Sequence, residues 1–259
     1  MTDIYGAIFR PSTFDAAKKY PVIDAIYPGP QIIRTAKSFP LDQDAGFWYW
    51  DPISLAQLGF IVVTLDGLGT PFRSKAFHDV SYGKLEEADG LEDHMAGLKQ
   101  FASKYPWMDL SRVGIYGHSA GGFASTRAML AYPGFYKVAV ASAGNHDQRI
   151  NIALWGEKYQ GLPNGDNYRD QANASLAQNL KGKLLLAYGD MDDNVHPAMT
   201  IRLVDALIKA NKDFDLLVLP NRSHSFENDP YFIRKRWDYF VEHLLGVKPP
   251  SGFKIRSPE

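Results

Sequence analysis

The sequence has 259 residues, of which 45% are hydrophobic and 22% are charged, and its formal net charge is −1. This balance is typical of a soluble globular protein, and it excludes the basic field that favours nucleic acid or an anionic membrane as a partner. The chain contains no cysteine, which excludes disulfides and thiolate metal sites but leaves the cellular compartment undetermined.

The N-terminal region shows no basic head followed by an apolar run, so no signal peptide is predicted. No apolar run approaches the roughly 18 residues that span a membrane. The first two apolar runs, 5–11 and 22–27, are separated by only ten residues. We expect them to form an antiparallel pair at the edge of a sheet. The second run ends at Tyr27, where Pro-Gly-Pro stops the strand.

Short apolar runs alternate with helix-patterned segments along the whole chain. The predicted strands are 5–11, 22–27, 60–67, 113–119, 138–144, 184–190 and 214–220. The predicted helices are 87–105, 121–131, 197–210 and 229–245. This order predicts an α/β fold with a mostly parallel central sheet and helices on both faces. His94 lies in a charged part of the first predicted helix and is expected to be exposed.

The segment 145–183 interrupts this rhythm, because it separates two strands without one clear helix. Long connections in compact domains are more often functional than incidental. We therefore expect residues 1–259 to form a single domain in which 145–183 is a cap-like insertion over the active site.

The stretch Gly117-His118-Ser119-Ala120-Gly121 lies between a predicted strand and a predicted helix. It matches the Gly-x-Ser-x-Gly nucleophile elbow, in which a sharp turn raises the serine hydroxyl above the sheet. The glycines on both sides leave room for that turn. Ser119 is therefore the predicted nucleophile.

A nucleophilic serine needs a histidine base that a carboxylate orients. Among the late histidines, His243 falls within a predicted helix and His196 lies at a helix start beside the acid candidates. His224 follows the last strand, at the sheet edge where this chemistry belongs, and is the predicted base. The acid candidates share one loop, and the residues alone do not separate them: Asp190, Asp192 and Asp193. Asp190 could instead hold its loop by hydrogen bonding.

The acidic loop does not match a calcium site. Val195 occupies the position where that motif requires glycine, and Ile201 the position where it requires glutamate. No metal and no organic cofactor is predicted.

Six stretches in order resemble the catalytic domain of the prolyl oligopeptidase family, the dipeptidyl-peptidase branch of the α/β-hydrolases. They are KKYPVIDAIYPGPQ, DGLGTPFRSKAF, RVGIYGHSAGGFAS, WGEKYQGLP, YGDMDDNVHP and RSHSF. The resemblance implies the triad Ser119, Asp192 and His224. It also implies that the Ala120 N–H and the Tyr27 hydroxyl form the oxyanion hole.

The chain departs from the family pattern in two places. Family peptidases usually carry a β-propeller before this domain, and none precedes Tyr5, so the chain is either a stand-alone hydrolase or the catalytic part of a longer protein. No tyrosine precedes Trp155 where those enzymes present aromatic rings to proline, so a proline preference is not expected. Trp155 and Asn194 are the predicted substrate contacts.

A triad with an oxyanion hole cleaves esters more readily than amides, since esters have better leaving groups. The sequence therefore favours a carboxylesterase acting on short or aromatic acyl esters. The alternative is a serine peptidase of the dipeptidyl-peptidase or prolyl oligopeptidase type, acting on short peptides. A non-enzymatic binding module is a further alternative, which the presence of every triad candidate disfavours. The oligomeric state is not predicted.

Overall fold

A seven-stranded sheet forms the centre of the computed structural model, which describes residues 2–36, 50–85 and 90–255. All seven predicted runs form strands, with their ends shifted by a few residues. The strands are β1 (Tyr5–Phe9), β2 (Tyr20–Ala25), β3 (Ile61–Asp66), β4 (Met108–His118), β5 (Tyr136–Ser142), β6 (Lys183–Gly189) and β7 (Asp215–Leu219).

The strand order is β1-β3-β2-β4-β5-β6-β7, with β1 antiparallel to β3 and the other pairs parallel. The expected antiparallel pairing of the first two runs is therefore wrong. Every residue of β2 is buried, as suits a strand between two parallel neighbours with both faces covered. The more exposed β1 instead pairs with β3, where Tyr5 lies opposite Asp66.

Eight α-helices occur in the described part of the chain. They are α1 (Asp51–Gln57), α2 (Lys75–His78), α3 (Leu91–Lys104), α4 (Ala120–Ala131), α5 (Ala153–Gln160), α6 (Asn167–Asp170), α7 (Ala198–Lys209) and α8 (Pro230–Phe240). The four predicted helices correspond to α3, α4, α7 and α8, and α8 continues into a π-helical turn over Val241–Leu245. The start of the predicted helix at 87–89 lies outside the described residues.

Two hydrophobic clusters cover the two faces of the sheet. One contains side chains of α3, α4 and α7, such as Leu98, Ala128 and Leu203. The other contains side chains of α1 and α8, such as Leu55 and Phe240. The predicted α/β-hydrolase arrangement, a mostly parallel sheet with helices on both faces, is thereby confirmed.

His94 is buried, so its predicted exposure is wrong. Its side chain is only 1% exposed, and its Nδ1 lies 2.8 Å from Asp24 Oδ1 in the centre of β2. The Tyr136 hydroxyl donates to the other oxygen of Asp24 at 3.0 Å. Because its neighbours in the sequence are charged, the sequence did not indicate that the His94 side chain faces the sheet.

The helices of the described ranges include none with both the length and the apolar character that a membrane crossing requires.

Candidate active site

Ser119 lies at the junction of β4 and α4 in a backbone conformation that L-residues rarely adopt, with φ 59° and ψ −119°. The neighbouring glycines make this turn possible. A Cβ added to Gly117 or Gly121 would lie closer than 3.0 Å to the Ile26 carbonyl oxygen, and one on Gly122 would lie equally close to that of Ser142. The strand end before Tyr27 is therefore packed directly against the elbow.

The Tyr27 phenol reaches the nucleophile across this close contact. The strand pairing continues to Ile26, whose N–H donates to the Tyr116 carbonyl at 3.0 Å. The phenol of Tyr27 is hydrogen-bonded with the side chains of Ser119 and Gln31. Burial raises the pKa of Tyr27, and these two hydrogen bonds lower it by less. The phenol therefore keeps its proton at neutral pH and can act as a hydrogen-bond donor.

Asp192 is the acid that meets the predicted base. His224 Nδ1 lies 2.8 Å from Asp192 Oδ2, while Asp192 Oδ1 accepts hydrogen bonds from the backbone N–H groups of Asn194 and Val195 at 3.0 and 2.8 Å. The carboxylate is 3% exposed, whereas Asp193 is exposed. An Nδ1–H that donates to this carboxylate leaves Nε2 of His224 available to accept a proton.

Asp190 has the loop-holding role that the sequence left open to it. Its Oδ1 accepts a hydrogen bond from the Asn221 N–H at 2.6 Å, and the Met191 N–H donates to the Arg222 carbonyl at 3.1 Å. These contacts tie the loop after β6 to the loop after β7. They keep Asp192 beside His224.

The other histidines occupy structural positions. His196 is exposed, with its Nδ1 accepting from the Ala198 N–H at 3.1 Å, and His243 packs edge-on against Tyr239 with ring centroids 4.4 Å apart.

His118 precedes Ser119 in the chain. Its Nδ1 lies 2.9 Å from Ser142 Oγ. Burial, followed by the proximity of His224, lowers the pKa of His118 to about 3. Its ring centroid lies 4.8 Å from that of His224, so a neutral imidazole packs against the predicted base.

A cavity of about 220 Å³ opens beside Ser119. Its lining residues are Tyr27, Gln31, Ser119, Ala120, Asn145, Asn151, Ile152, Trp155, Asn194 and Val195. The two predicted substrate contacts, Trp155 and Asn194, are among them. Sequence reasoning missed the three carboxamides at Gln31, Asn145 and Asn151, because Asn and Gln in loops are ordinary turn residues.

The segment 145–183 contributes Asn145, Asn151 and Trp155 to this cavity. It is held to the body of the domain by Asn173, whose Nδ2 donates to the Phe123 carbonyl at 3.0 Å. The segment thus forms part of the wall of the site. Its description as a separate cap remains a prediction.

The described residues contain no group of three or more His, Asp or Glu side chains placed to hold a metal ion. The groups near Ser119 are of the kinds that acyl transfer uses. They are a hydroxyl on a strained turn, a histidine paired with a carboxylate, and two donors. These are the Tyr27 hydroxyl and the N–H of Ala120, which as the first residue of α4 has no acceptor within its helix.

Comparison with known proteins gives consistent matches. Residues 46–246 match the model of the prolyl oligopeptidase family. Human and mouse dipeptidyl peptidase 8 (Homo sapiens and Mus musculus) are each 32% identical over 254 residues, which is 93% of this chain and 26% of theirs. The crystal structure of Porphyromonas gingivalis dipeptidyl peptidase 4 superposes with a TM-score of 0.83 at 26% identity, over 93% of this chain and 34% of that one. The chain thus spans about a quarter to a third of these relatives.

Proposed function

This chain belongs to the prolyl oligopeptidase family, and from that premise we propose that it is a serine peptidase of the dipeptidyl-peptidase type. The observation that carries the proposal is the pairing of the buried Asp192 carboxylate with His224, whose ring lies 4.8 Å from that of His118, the residue before Ser119. The expectation of a carboxylesterase is not supported, because the relatives reported above are dipeptidyl peptidases. The peptidase alternative fits better.

Ser119 is the nucleophile in this proposal and His224 is its base. As the serine oxygen attacks the substrate carbonyl, His224 Nε2 takes the hydroxyl proton, and the resulting imidazolium is stabilised by Asp192 at Nδ1. His224 then returns the proton to the leaving amine, which departs and leaves an acyl-enzyme. Water attacks this ester by the same route and releases the acid product.

The tetrahedral oxyanion is stabilised by the Ala120 N–H and the Tyr27 hydroxyl. Both donors are present in the site before the reaction begins, so little reorganisation is needed when the negative charge develops. Before substrate binds, the Tyr27 phenol is hydrogen-bonded with the Ser119 side chain. We infer that the phenol moves from this contact to the substrate oxygen as the serine attacks.

We further propose that residues 1–259 act as one catalytic domain, with 145–183 covering part of the site. Trp155 and Asn194 contact the bound substrate, which is a short peptide. The wall that 145–183 contributes to the cavity supports this arrangement.

The test is active-site labelling combined with turnover. A fluorophosphonate probe should label the wild type and fail to label Ser119→Ala, while Ser103→Ala, an exposed serine on α3, labels normally. The wild type should also release aminomethylcoumarin from dipeptidyl amides, and Ser119→Ala should not. If Ser119 is labelled but the protein hydrolyses only p-nitrophenyl esters, the carboxylesterase interpretation would be correct instead. A serine that never labels would indicate a binding module.

A further inference from the structure

The cavity beside Ser119 contains hydrogen-bonding groups that the protein leaves unused. Asn145 is 4% exposed and its Oδ1 has no hydrogen-bond partner, and neither has Gln31 Oε1. Asn151 donates through Nδ2 to Gln148 Oε1 at 2.7 Å, which fixes its carboxamide and leaves its Oδ1 to accept. Among the described residues, the cavity therefore has two carboxamide oxygens without a hydrogen-bond partner, on Asn145 and Gln31. The half-buried Asn151 adds a third carboxamide, whose oxygen is available as an acceptor.

A buried acceptor without a donor is unfavourable, because it has lost its hydrogen bonds to water and gained none in return. Asparagine and glutamine end in a torsion with a broad energy profile. Rotation about this torsion can therefore turn the oxygen of Asn145, which lines the cavity, toward a bound ligand. A ligand that carries N–H donors would satisfy these acceptors, whereas an apolar ligand would leave them unpaired.

The proposed mechanism puts this cavity on the acyl side of the bond that is cleaved. The leaving group must depart toward His224, since that residue protonates it, and His224 is not among the described residues that line the cavity. The residue whose carbonyl is attacked therefore places its side chain in this space, between Trp155 and Asn145.

We propose that this cavity selects a residue with a primary carboxamide side chain, asparagine or glutamine, on the acyl side of the cleaved bond. This inference rests on the proposed peptidase function and names its substrate class. The two N–H bonds of a primary carboxamide match the acceptors on Asn145 and Asn151, and Asn194 offers a donor to its carbonyl oxygen.

Competing side chains fit less well. The ring of proline and the side chain of leucine carry no donor, so either would bury the carboxamide oxygens unpaired. Lysine and arginine would need a counter-charge, and none of the described residues that line the cavity is acidic. Hydrogen bonding to the substrate side chain thus becomes the basis of selection, since a site built for such bonds rejects analogues that lack them.

The experiment compares Gly-Asn-, Gly-Leu- and Gly-Pro-aminomethylcoumarin, because asparagine and leucine are similar in size and differ in hydrogen bonding. The wild type should show a kcat/KM about 10–100-fold higher for Gly-Asn than for Gly-Leu. An equal or reversed order, or a preference for Gly-Pro, would overturn the inference. Fluorophosphonate labelling of the same sample distinguishes a failure of this inference from a failure of the proposed peptidase function. A labelled serine that cleaves the peptides without this order contradicts the inference alone, and a chain that neither labels nor cleaves contradicts both.

Asn145→Leu should reduce the Asn-to-Leu ratio of kcat/KM about tenfold or more. Its matched control is Asn164→Leu, an exposed asparagine of the same segment, which should keep the wild-type ratio. The half-buried Asn151 tolerates change better, so Asn151→Leu should lower the ratio even where Asn145→Leu does not fold. An unchanged ratio in the folded variants would exclude the carboxamides as the basis of selection.

Discussion

Tyr27 stands at the end of β2, where Pro-Gly-Pro stops the strand and the chain turns away. The phenol is buried between the Ser119 and Gln31 side chains. Its raised pKa keeps the phenol protonated across the neutral range, so the hydroxyl can donate to an oxyanion. The sequence around Tyr27 thus places a protonated phenol, a hydrogen-bond donor, beside Ser119.

Tyr27→Phe removes this donor and leaves the ring in place. We expect the variant to fold like the wild type and to lose roughly 10–1000-fold in kcat, the range expected for one oxyanion donor. Turnover of a dipeptidyl amide, together with the melting temperature, measures both effects. Tyr231→Phe, which removes the hydroxyl of an exposed tyrosine, should leave kcat unchanged. Wild-type turnover by Tyr27→Phe would exclude the phenol from the oxyanion hole.

Some residues of the candidate site could be predicted from the sequence alone, and others could not. The elbow and the histidine follow from local pattern and chain order, so Ser119 and His224 could be chosen directly. Asp192 could not be separated from Asp190 and Asp193 by the residues alone, because all three lie in one loop and the direction of each side chain depends on how that loop turns. The role of the Asn145 carboxamide could not be predicted, since an acceptor without a hydrogen-bond partner is identified only when its surroundings are known.

At the scale of elements, the close contact between the elbow and the end of β2 brings the donor to the nucleophile. Gly117 and Gly121 both face the Ile26 carbonyl, and neither position has room for a Cβ. The obstacle is backbone, which cannot move aside as a flexible side chain does. The two glycines therefore control the separation of Tyr27 from Ser119 as well as the shape of the turn.

Gly121→Ala should separate these two elements. The added methyl group would collide with the Ile26 carbonyl and push the strand end away, at a cost of about 1–3 kcal/mol in the free energy of unfolding. We expect kcat to fall as strongly as in Tyr27→Phe. Gly134→Ala is the matched control, since a Cβ there would meet nothing within 4 Å. Full activity and stability of Gly121→Ala would contradict the close contact.

Strand existence was easier to predict than strand pairing. Each apolar run formed a strand because strand formation depends mainly on the residues of the run itself, whereas its place in the sheet depends on how all the other runs are buried. Proximity in sequence suggested that β1 pairs with β2, but β2 is buried along its whole length and lies in the interior of the sheet. Competition for the centre of the sheet decided the pairing.

At the scale of the whole molecule, one buried polar cluster joins elements distant in sequence. His94 of α3 and Tyr136 of β5 both bond to the Asp24 carboxylate of β2. Burial alone would lower the pKa of His94, but Asp24, assisted by Asp66 and Asp93, outweighs burial and raises it. Below that raised pKa the imidazole is protonated and forms a buried ion pair with the Asp24 carboxylate.

This ion pair makes the stability of the fold dependent on pH. The pKa of His94 is higher in the folded chain than the ordinary value of about 6.5 in the unfolded chain. Its contribution to stability is therefore complete below about pH 6.5, and it is lost as the pH rises through the folded pKa. His94→Gln keeps a donor for Asp24 but cannot titrate. We expect its deficit in unfolding free energy to be largest at pH 6 and to shrink toward pH 9.

Urea unfolding of both proteins between these pH values measures that deficit, and two-state curves give it directly. His196→Gln, a change at an exposed histidine, should follow the wild type throughout. A deficit that stayed constant with pH would mean that His94 is neutral in the fold and acts only as a hydrogen-bond donor. In that case hydrogen bonds to the Asp24 carboxylate alone would hold the cluster, and breaking them would cost the same free energy at every pH. The pH dependence thus separates an ion pair from a hydrogen bond at the point where α3, β2 and β5 meet.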